Sequence, residues 1–337
     1  MKVFTEDFIR EIKARYGNKD EVSQPELYHI ATNPKCEPIR DKIEGWASAV
    51  SSDIVDALLP RLHHPDQFGH ALNELITAFY LSRLGYSMTS EPVIQSYTPD
   101  FLAVRGDKKI VVEVFTRDLS AEEKGLDSLK DDLVKRLKEI KADFELRVSF
   151  TRLKEALTSR SCKEIAKAVE KWLIDEDPDV GSSFSPMGVK LDVYRKGTGR
   201  SNVHITSVVH KVDYVDTDGL RDRIHQKAKK YGPMLVDLGL PYVVAVVLEF
   251  TTGVNFSSVE DAIIGKKALF VDYVETEHGR EIIGTREGRA GGGLFGRGRY
   301  PLSAVLTIGE IDGVIKGDSL PNPGAPCPIA KDYFEPV

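Results

Sequence analysis

Cysteine is scarce: three residues in 337, Cys36, Cys162 and Cys327, far apart and odd in number. That excludes a disulfide-stapled scaffold and a zinc cluster of closely spaced thiolates, and it fits a reducing, cytoplasmic setting. Long apolar runs are missing as well. Nothing approaches the roughly 18 residues a membrane span requires, so no membrane partner is expected. The opening MKVFTEDFIREIKARYG is broken by charge throughout and reads as an amphipathic helix rather than a secretory leader. A basic excess is absent too: 46 Lys and Arg stand against 52 Asp and Glu, a formal net charge of −6. A strongly basic nucleic-acid coat protein is thereby excluded, though not an enzyme with a local basic surface. No G-x-S-x-G, P-loop, H-E-x-x-H or C-x-x-C occurs, which removes support for triad hydrolases, NTPases, zinc proteases and dithiol chemistry. Residues 291–296 do satisfy G-x-G-x-x-G, but the following Arg297 to Pro301 lead into a strand, not a helix, so no dinucleotide site is expected.

What remains is an ordinary globular composition, 41% hydrophobic and 29% charged. Residues 1–66 read as a helical region. Phe4, Phe8, Ile9 and Ile12 form one stripe, and Trp46, Val50, Ile54, Val55, Leu58 and Leu59 a second that ends at Pro60, with a loop around Pro25, Pro34 and Pro38 between them. His63, His64, Asp66 and His70 read as a polar loop rather than a metal cluster, because adjacent loop histidines rarely converge on one ion. A helix follows over 67–84 with Gly85 as its stop, then strands over 86–95, 100–104 and 109–116, with Gly106-Asp107 turning a hairpin. A charged helix over 120–142 and a strand over 145–150 come next. Beyond 151 the pattern gives a helix (152–174), a hairpin (189–194 with 202–209), a helix (217–238), a buried strand opened by Pro241, and a strand near 268–273. A glycine- and arginine-rich loop, a strand over 302–311 and an extended proline-rich tail complete the chain.

Three carboxylates punctuate the segment from 73 to 117: Glu74 on the helix, Asp100 after Pro99, and Glu113 inside the apolar run from Ile110 to Phe115. A carboxylate in a strand that is otherwise built for burial is costly unless it is paired or holds a metal. Hard oxygen ligands suit Mg²⁺, which keeps several of its waters and is satisfied by two or three carboxylates. Such an ion supports phosphodiester hydrolysis by activating water and stabilising the leaving oxygen.

Pro99-Asp100, twelve intervening residues and Glu113-Val114-Phe115, preceded by a helix bearing Glu74, resemble the PD-(D/E)xK nuclease superfamily, the restriction-endonuclease-like fold. The resemblance covers roughly residues 67–150. It implies an α/β chain with a core of helix, three strands, helix and strand at 67–150, an N-terminal helical region at 1–66, and an α+β extension at 151–337. It further implies metal-dependent cleavage of nucleic acid, DNA rather than RNA, in a prokaryotic defence or restriction setting, and it leaves room for a homodimer, since many nucleases of this type dimerise to cut two strands. Asp100 and Glu113 would hold Mg²⁺ or Mn²⁺, with Glu74 assisting. One departure stands out: the family lysine belongs two places after Glu113, and Phe115 is there. Three readings stay open. The lysine has moved to another element, with Lys124 and Lys130 as candidates (Lys109 shares the strand but lies about 13 Å away). Thr116 or Arg117 substitutes. Or the module is catalytically inactive and binds nucleic acid or a protein partner. Glu113 and Asp100 as an ordinary salt bridge and turn residue also remain open. Two basic features add phosphate-facing candidates: Arg286, Arg289, Arg297 and Arg299 in the loop 286–299, and Arg221, Arg223, Lys227, Lys229 and Lys230 on one helix. A solvated charged face is the competing reading of the helix, and a mobile loop that of the arginines.

Overall fold

A computed structural model describes residues 2–19, 24–116, 121–150, 157–210, 217–248, 256–276, 279–290, 293–297 and 300–336. The chain is mixed α/β and divides into two compact units, Met1–Arg117 with Val215–Val337, and Asp118–Tyr214. The division falls neither at 66 nor at 150, and the pairing of the strands explains why.

The first unit opens with five helices: α1 (Glu6–Tyr16), α2 (Glu26–Thr32), α3 (Glu37–Ser48), α4 (Ser52–Leu62) and α5 (Phe68–Arg83). Thr5 caps α1 by accepting from the Phe8 N–H at 3.2 Å. The proline-rich stretch expected as a loop holds α2, and Pro38 sits in the first turn of α3, where its missing N–H costs no helical bond. Pro60 lies within α4 rather than ending it. His63 Nε2 bonds the Val3 carbonyl at 2.7 Å, and its ring stacks on Phe8, so it ties the N-terminus to α4. Helix α5 is buried nearly all round. Gly85 then takes φ +80, a conformation glycine adopts without penalty, and turns the chain into β1 (Ser87–Ser90), β2 (Phe101–Arg105) and β3 (Lys108–Phe115). Strand β1 is shorter than the expected 86–95 because Glu91 and Gln95 adopt positive φ and a small Ile94–Tyr97 bridge intervenes.

The second unit holds α6 (Ala121–Glu139), β4 (Phe144–Phe150), α7 (Ser159–Lys171), β5 (Ser183–Phe184), β6 (Val189–Lys196) and β7 (His204–His210). Its sheet runs β5-β6-β4-β7, with β4 antiparallel to β6 and parallel to β7. Leu133, Leu137, Val148, Ile165 and Val169 lie in a core of its own. Two expectations are corrected. The strand near 145–150 is not in the sheet of β3, and the segments expected as a hairpin flank β4 instead of pairing. Asp143 accounts for the second: its carboxylate accepts from the N–H groups of Thr198, Gly199 and Arg200 and the Thr198 hydroxyl. That clamp holds the connecting loop beside the start of β4, leaving one strand to pass on each side. These bonds also hold the Asp143 carboxyl below its ordinary range, the Thr198 hydroxyl contributing most. The helix expected from 152 begins at 159, and residues 151–156 lie outside the described residues.

The chain then returns to the first unit with α8 (Thr217–Asp237), β8 (Tyr242–Leu248), α9 (Phe256–Ile264), β9 (Lys266–Thr276), β10 (Gly279–Ala290), β11 (Ala304–Ile311) and β12 (Val314–Pro321). The main sheet has the order β1-β2-β3-β8-β11-β12, parallel across β3-β8-β11 and antiparallel elsewhere. Strand β8 is buried on both faces, as a continuous Tyr-Val-Val-Ala-Val-Val run demands. One face packs on the N-terminal helices through Val112 and Val114, the other on α8 through Val111 and Phe115. The tail expected to run loose from 320 supplies the end of β12 and is then tied down, with Asn322 donating to the carbonyls of Tyr300 and Leu302, and Arg105 to those of Tyr333 and Glu335. Strands β9 and β10 form a separate two-stranded ribbon, which takes in part of the expected arginine loop. No helix among the described residues is long and apolar enough to cross a membrane.

Candidate active site

The β2–β3 hairpin brings two of the three carboxylates together. A two-residue turn pairs Arg105 with Lys108 and, four rungs along, Phe101 with Val112. One further step places Asp100 opposite Glu113. Phe101 belongs to the helix-covered core on one face, so the alternation of a strand sends Asp100 towards the other, where α8 packs. Asp100 Oδ2 accepts the Val114 N–H at 2.6 Å, closing the open end of the hairpin.

Glu113 is 4% exposed. Its Oε1 accepts from Lys227 Nζ at 3.0 Å, and the same ammonium donates to the Val114 carbonyl at 2.9 Å. Its Oε2 is buried without a hydrogen-bond partner among the described residues. Burial pushes the carboxyls of both Asp100 and Glu113 above their ordinary range; the negative charge of Asp100 raises Glu113 further, while Lys227 pulls both down. A buried acid, Glu113, and a half-buried one, Asp100, thus stand near one close ammonium, with an oxygen left over. Such a donor set suits a hard divalent cation, which would offset the surplus charge and use the free oxygen.

Glu74 is placed differently. Both its oxygens are engaged by the Arg61 guanidinium of α4, at 2.7 Å each, and Arg61 also lies 3.6 Å from Glu91. Burial raises the Glu74 carboxyl and Arg61 opposes the rise. Among the described residues no three His, Cys, Asp or Glu side chains come together as a group able to hold a metal. The structure brings Asp100 and Glu113 together, and it holds Glu74 in a bidentate ion pair with Arg61. Removing Arg61 leaves a buried carboxylate uncompensated. Arg61→Ala should destabilise the fold by about 2–4 kcal/mol, somewhat below the cost for a wholly buried pair because Arg61 is partly exposed. Urea unfolding checks this; a loss no larger than that of an ordinary surface substitution would show that the pair contributes nothing.

The ammonium beside Glu113 belongs to Lys227, which is not one of the positions that the sequence offered for the family lysine. Lys109 is exposed towards the turn end of β3, Lys130 lies over Phe150 in the second unit, and Thr116 accepts from Asn73 at 3.3 Å. The side chain of Lys124, and Arg117 altogether, lie outside the described residues. Phe115 is buried in the core beneath α8. Lys227, read from sequence only as one charge of a basic helix, is the ammonium at Glu113. One signal could have found it. In α8 the inward stripe runs Leu220, Ile224, Ala228, Tyr231 and Leu235, and Lys227, three after Ile224 and four before Tyr231, falls inside it. Of the arginine loop, Arg289 is bound to Glu260 and the Gly265 carbonyl; the side chains of Arg286 and Arg297, and Arg299, lie outside the described residues.

No protein-family model matches the chain, and no curated protein or solved structure matched it.

Proposed function

We propose that the protein is a metal-dependent nuclease acting on nucleic acid, with DNA as the preferred substrate. The observation that carries the reading is Asp100, Glu113 and Lys227 meeting at one end of the β2–β3 hairpin, Glu113 buried, Asp100 half-buried, and the pair under-compensated. The resemblance to the PD-(D/E)xK superfamily supports it in a revised form. The core would be α5, β1 to β3, α8 and β8, with residues 118–214 inserted between the third strand and the second helix. In that arrangement β8 lies parallel beside β3, and Lys227 reaches, from the helix, the site that Phe115 vacates on the strand.

Asp100 and Glu113 would hold Mg²⁺ or Mn²⁺, which supplies Lewis-acid charge at the phosphate. The Asp100 bond to Val114 fixes one carboxylate in place before any ion arrives. Lys227 holds Glu113 and presents a cation beside the acids, where negative charge develops during phosphodiester cleavage. Burial beneath α8 strengthens that interaction relative to water.

The test is Mg²⁺- or Mn²⁺-dependent cleavage of single- and double-stranded DNA and RNA by the wild type and by Glu113→Gln. Cleavage by the wild type that disappears in the variant is the expected result. Equal cleavage by both removes the assignment. Binding without cleavage by the wild type favours an inactive nuclease-fold module in which Lys227 serves only as the partner of a buried acid.

A further inference from the structure

Helix α8 carries a second lysine one turn beyond Lys227. Lys230 is exposed, and its Nζ lies 4.5 Å from the centroid of the Tyr231 ring. The Tyr231 hydroxyl is its main partner, Glu113 and Asp100 lie within electrostatic reach, and no carboxylate holds it in an ion pair among the described residues. A cation beside the acids but not consumed by them is available to an anionic ligand.

Tyr231 also supports an aromatic row. Its ring packs edge-on against Tyr242 at 6.1 Å on one side and Tyr97 at 5.5 Å on the other. Tyr242 and Tyr231 are buried, whereas Tyr97 is 37% exposed, so the row runs from the core to the surface and ends three residues before Asp100. The turn carrying Tyr97 is braced. Ile94 and Tyr97 exchange both backbone hydrogen bonds, at 2.8 and 3.0 Å, and the Tyr231 hydroxyl donates to the Thr98 carbonyl at 3.4 Å. Val93, just before the turn, is 76% exposed. A held aromatic ring and an ammonium that no carboxylate pairs thus stand on one buried tyrosine, within electrostatic reach of the acids. A nucleotide offers their complements, a flat base and a phosphate.

We propose that Lys230 and Tyr97 grip the substrate strand, Lys230 through a backbone phosphate and Tyr97 through the face of an unpaired base, and that the site therefore takes single-stranded nucleic acid. The inference deepens the nuclease reading and rests on it for the chemistry. Duplex bases are stacked on one another and offer no free face to Tyr97, whereas every unpaired base does.

Binding of the full-length chain to labelled single-stranded DNA, single-stranded RNA of the same sequence, and the DNA duplex, measured in EDTA, separates grip from chemistry. Tyr97→Ala should lose about tenfold in affinity for the single strands, with duplex binding unchanged, while Tyr97→Phe, which keeps the ring, retains it. Lys230→Gln should weaken binding to all three and reduce the slope of log affinity against log salt by about 0.7 on single strands. The DNA and RNA arms show which backbone is preferred. Unchanged single-strand binding in both Tyr97→Ala and Lys230→Gln, or duplex bound as tightly as single strand by the wild type, overturns the inference. Cleavage measured in parallel distinguishes the two claims. Loss of cleavage in Glu113→Gln with binding untouched by Tyr97→Ala and Lys230→Gln leaves the nuclease standing and removes the grip. Binding lost in both variants, with no cleavage by the wild type, supports the grip and removes the chemistry.

Discussion

Lys227→Ala should lower kcat by about 10²–10³-fold, the cost of removing one preorganised group that faces developing charge. Substrate affinity should change little, because Lys227 is bound to Glu113 and the Val114 carbonyl and Lys230 remains available outside. Lys227→Arg keeps the charge but replaces a compact ammonium with a planar fork, and partial activity is expected. The measurement is a steady-state comparison of kcat and KM in saturating Mg²⁺. A loss confined to KM would assign Lys227 to uniform binding, and full activity in Lys227→Ala would show that its ion pair with Glu113 is structural only. The loss of a buried ion-pair partner also destabilises the fold, so circular dichroism of the variant at the assay temperature belongs with the kinetics.

The second expected result runs against the usual direction of mutation. In EDTA, Glu113→Gln and Asp100→Asn should each abolish activity on later metal addition while raising the melting temperature, by about 2–6 °C for a gain of about 1–2 kcal/mol. Both carboxyls are pushed above their ordinary range by burial. A raised carboxyl pKa means that the folded state binds its proton more tightly than the unfolded chain does. Ionisation therefore costs stability; the cost is fully present above the raised pKa and is relieved as pH falls through it towards the ordinary value. An amide cannot ionise, so the advantage of Glu113→Gln should be largest near neutral pH and shrink as the pH is lowered towards 4.5, the ordinary glutamate value. The remaining acid keeps Lys227 as a counter-charge, which limits the opposing loss. Mg²⁺ or Mn²⁺ should raise the melting temperature of the wild type and leave both variants unmoved, since a ligand that binds only the native state stabilises it. Variants that melt below the wild type at neutral pH would mean that the Lys227 ion pair outweighs the burial of the second charge.

Much of the hairpin was legible in the chain. A two-residue turn at Gly106-Asp107 pairs residues whose numbers sum to 213, as Arg105 with Lys108 does, and Asp100 with Glu113 satisfies that sum. Alternation then requires the two acids to share a face, and an acid in the run Ile110 to Phe115 is anomalous on composition alone. The polar loop reading of His63 and the helix stop at Gly85 were equally local, because caps, turns and periodicity act over a few residues. Glu74 was less legible: the helix containing it is evident, but its partner Arg61 lies on another helix, and nothing in spacing says which side chains meet across a helix pair.

Sequence by itself determined β2 and β3, their turn register and therefore the carboxylate pair, since antiparallel pairing through a tight turn leaves no freedom of alignment. Only the tertiary structure decided which strand lies beside β3. A parallel neighbour needs a crossover, and a crossover of any length closes a loop at an entropic cost that grows only slowly with its size. The chain could therefore insert the whole of residues 118–214, with a separate core, before returning as α8 and β8. Reading the next helix and strand in order, 120–150, as the completion of the sheet was the natural local choice, and it directed the search for a lysine to α6 rather than to α8. Where Lys227 stands relative to Glu113 depends on that long-range pairing, which no short-range pattern encodes.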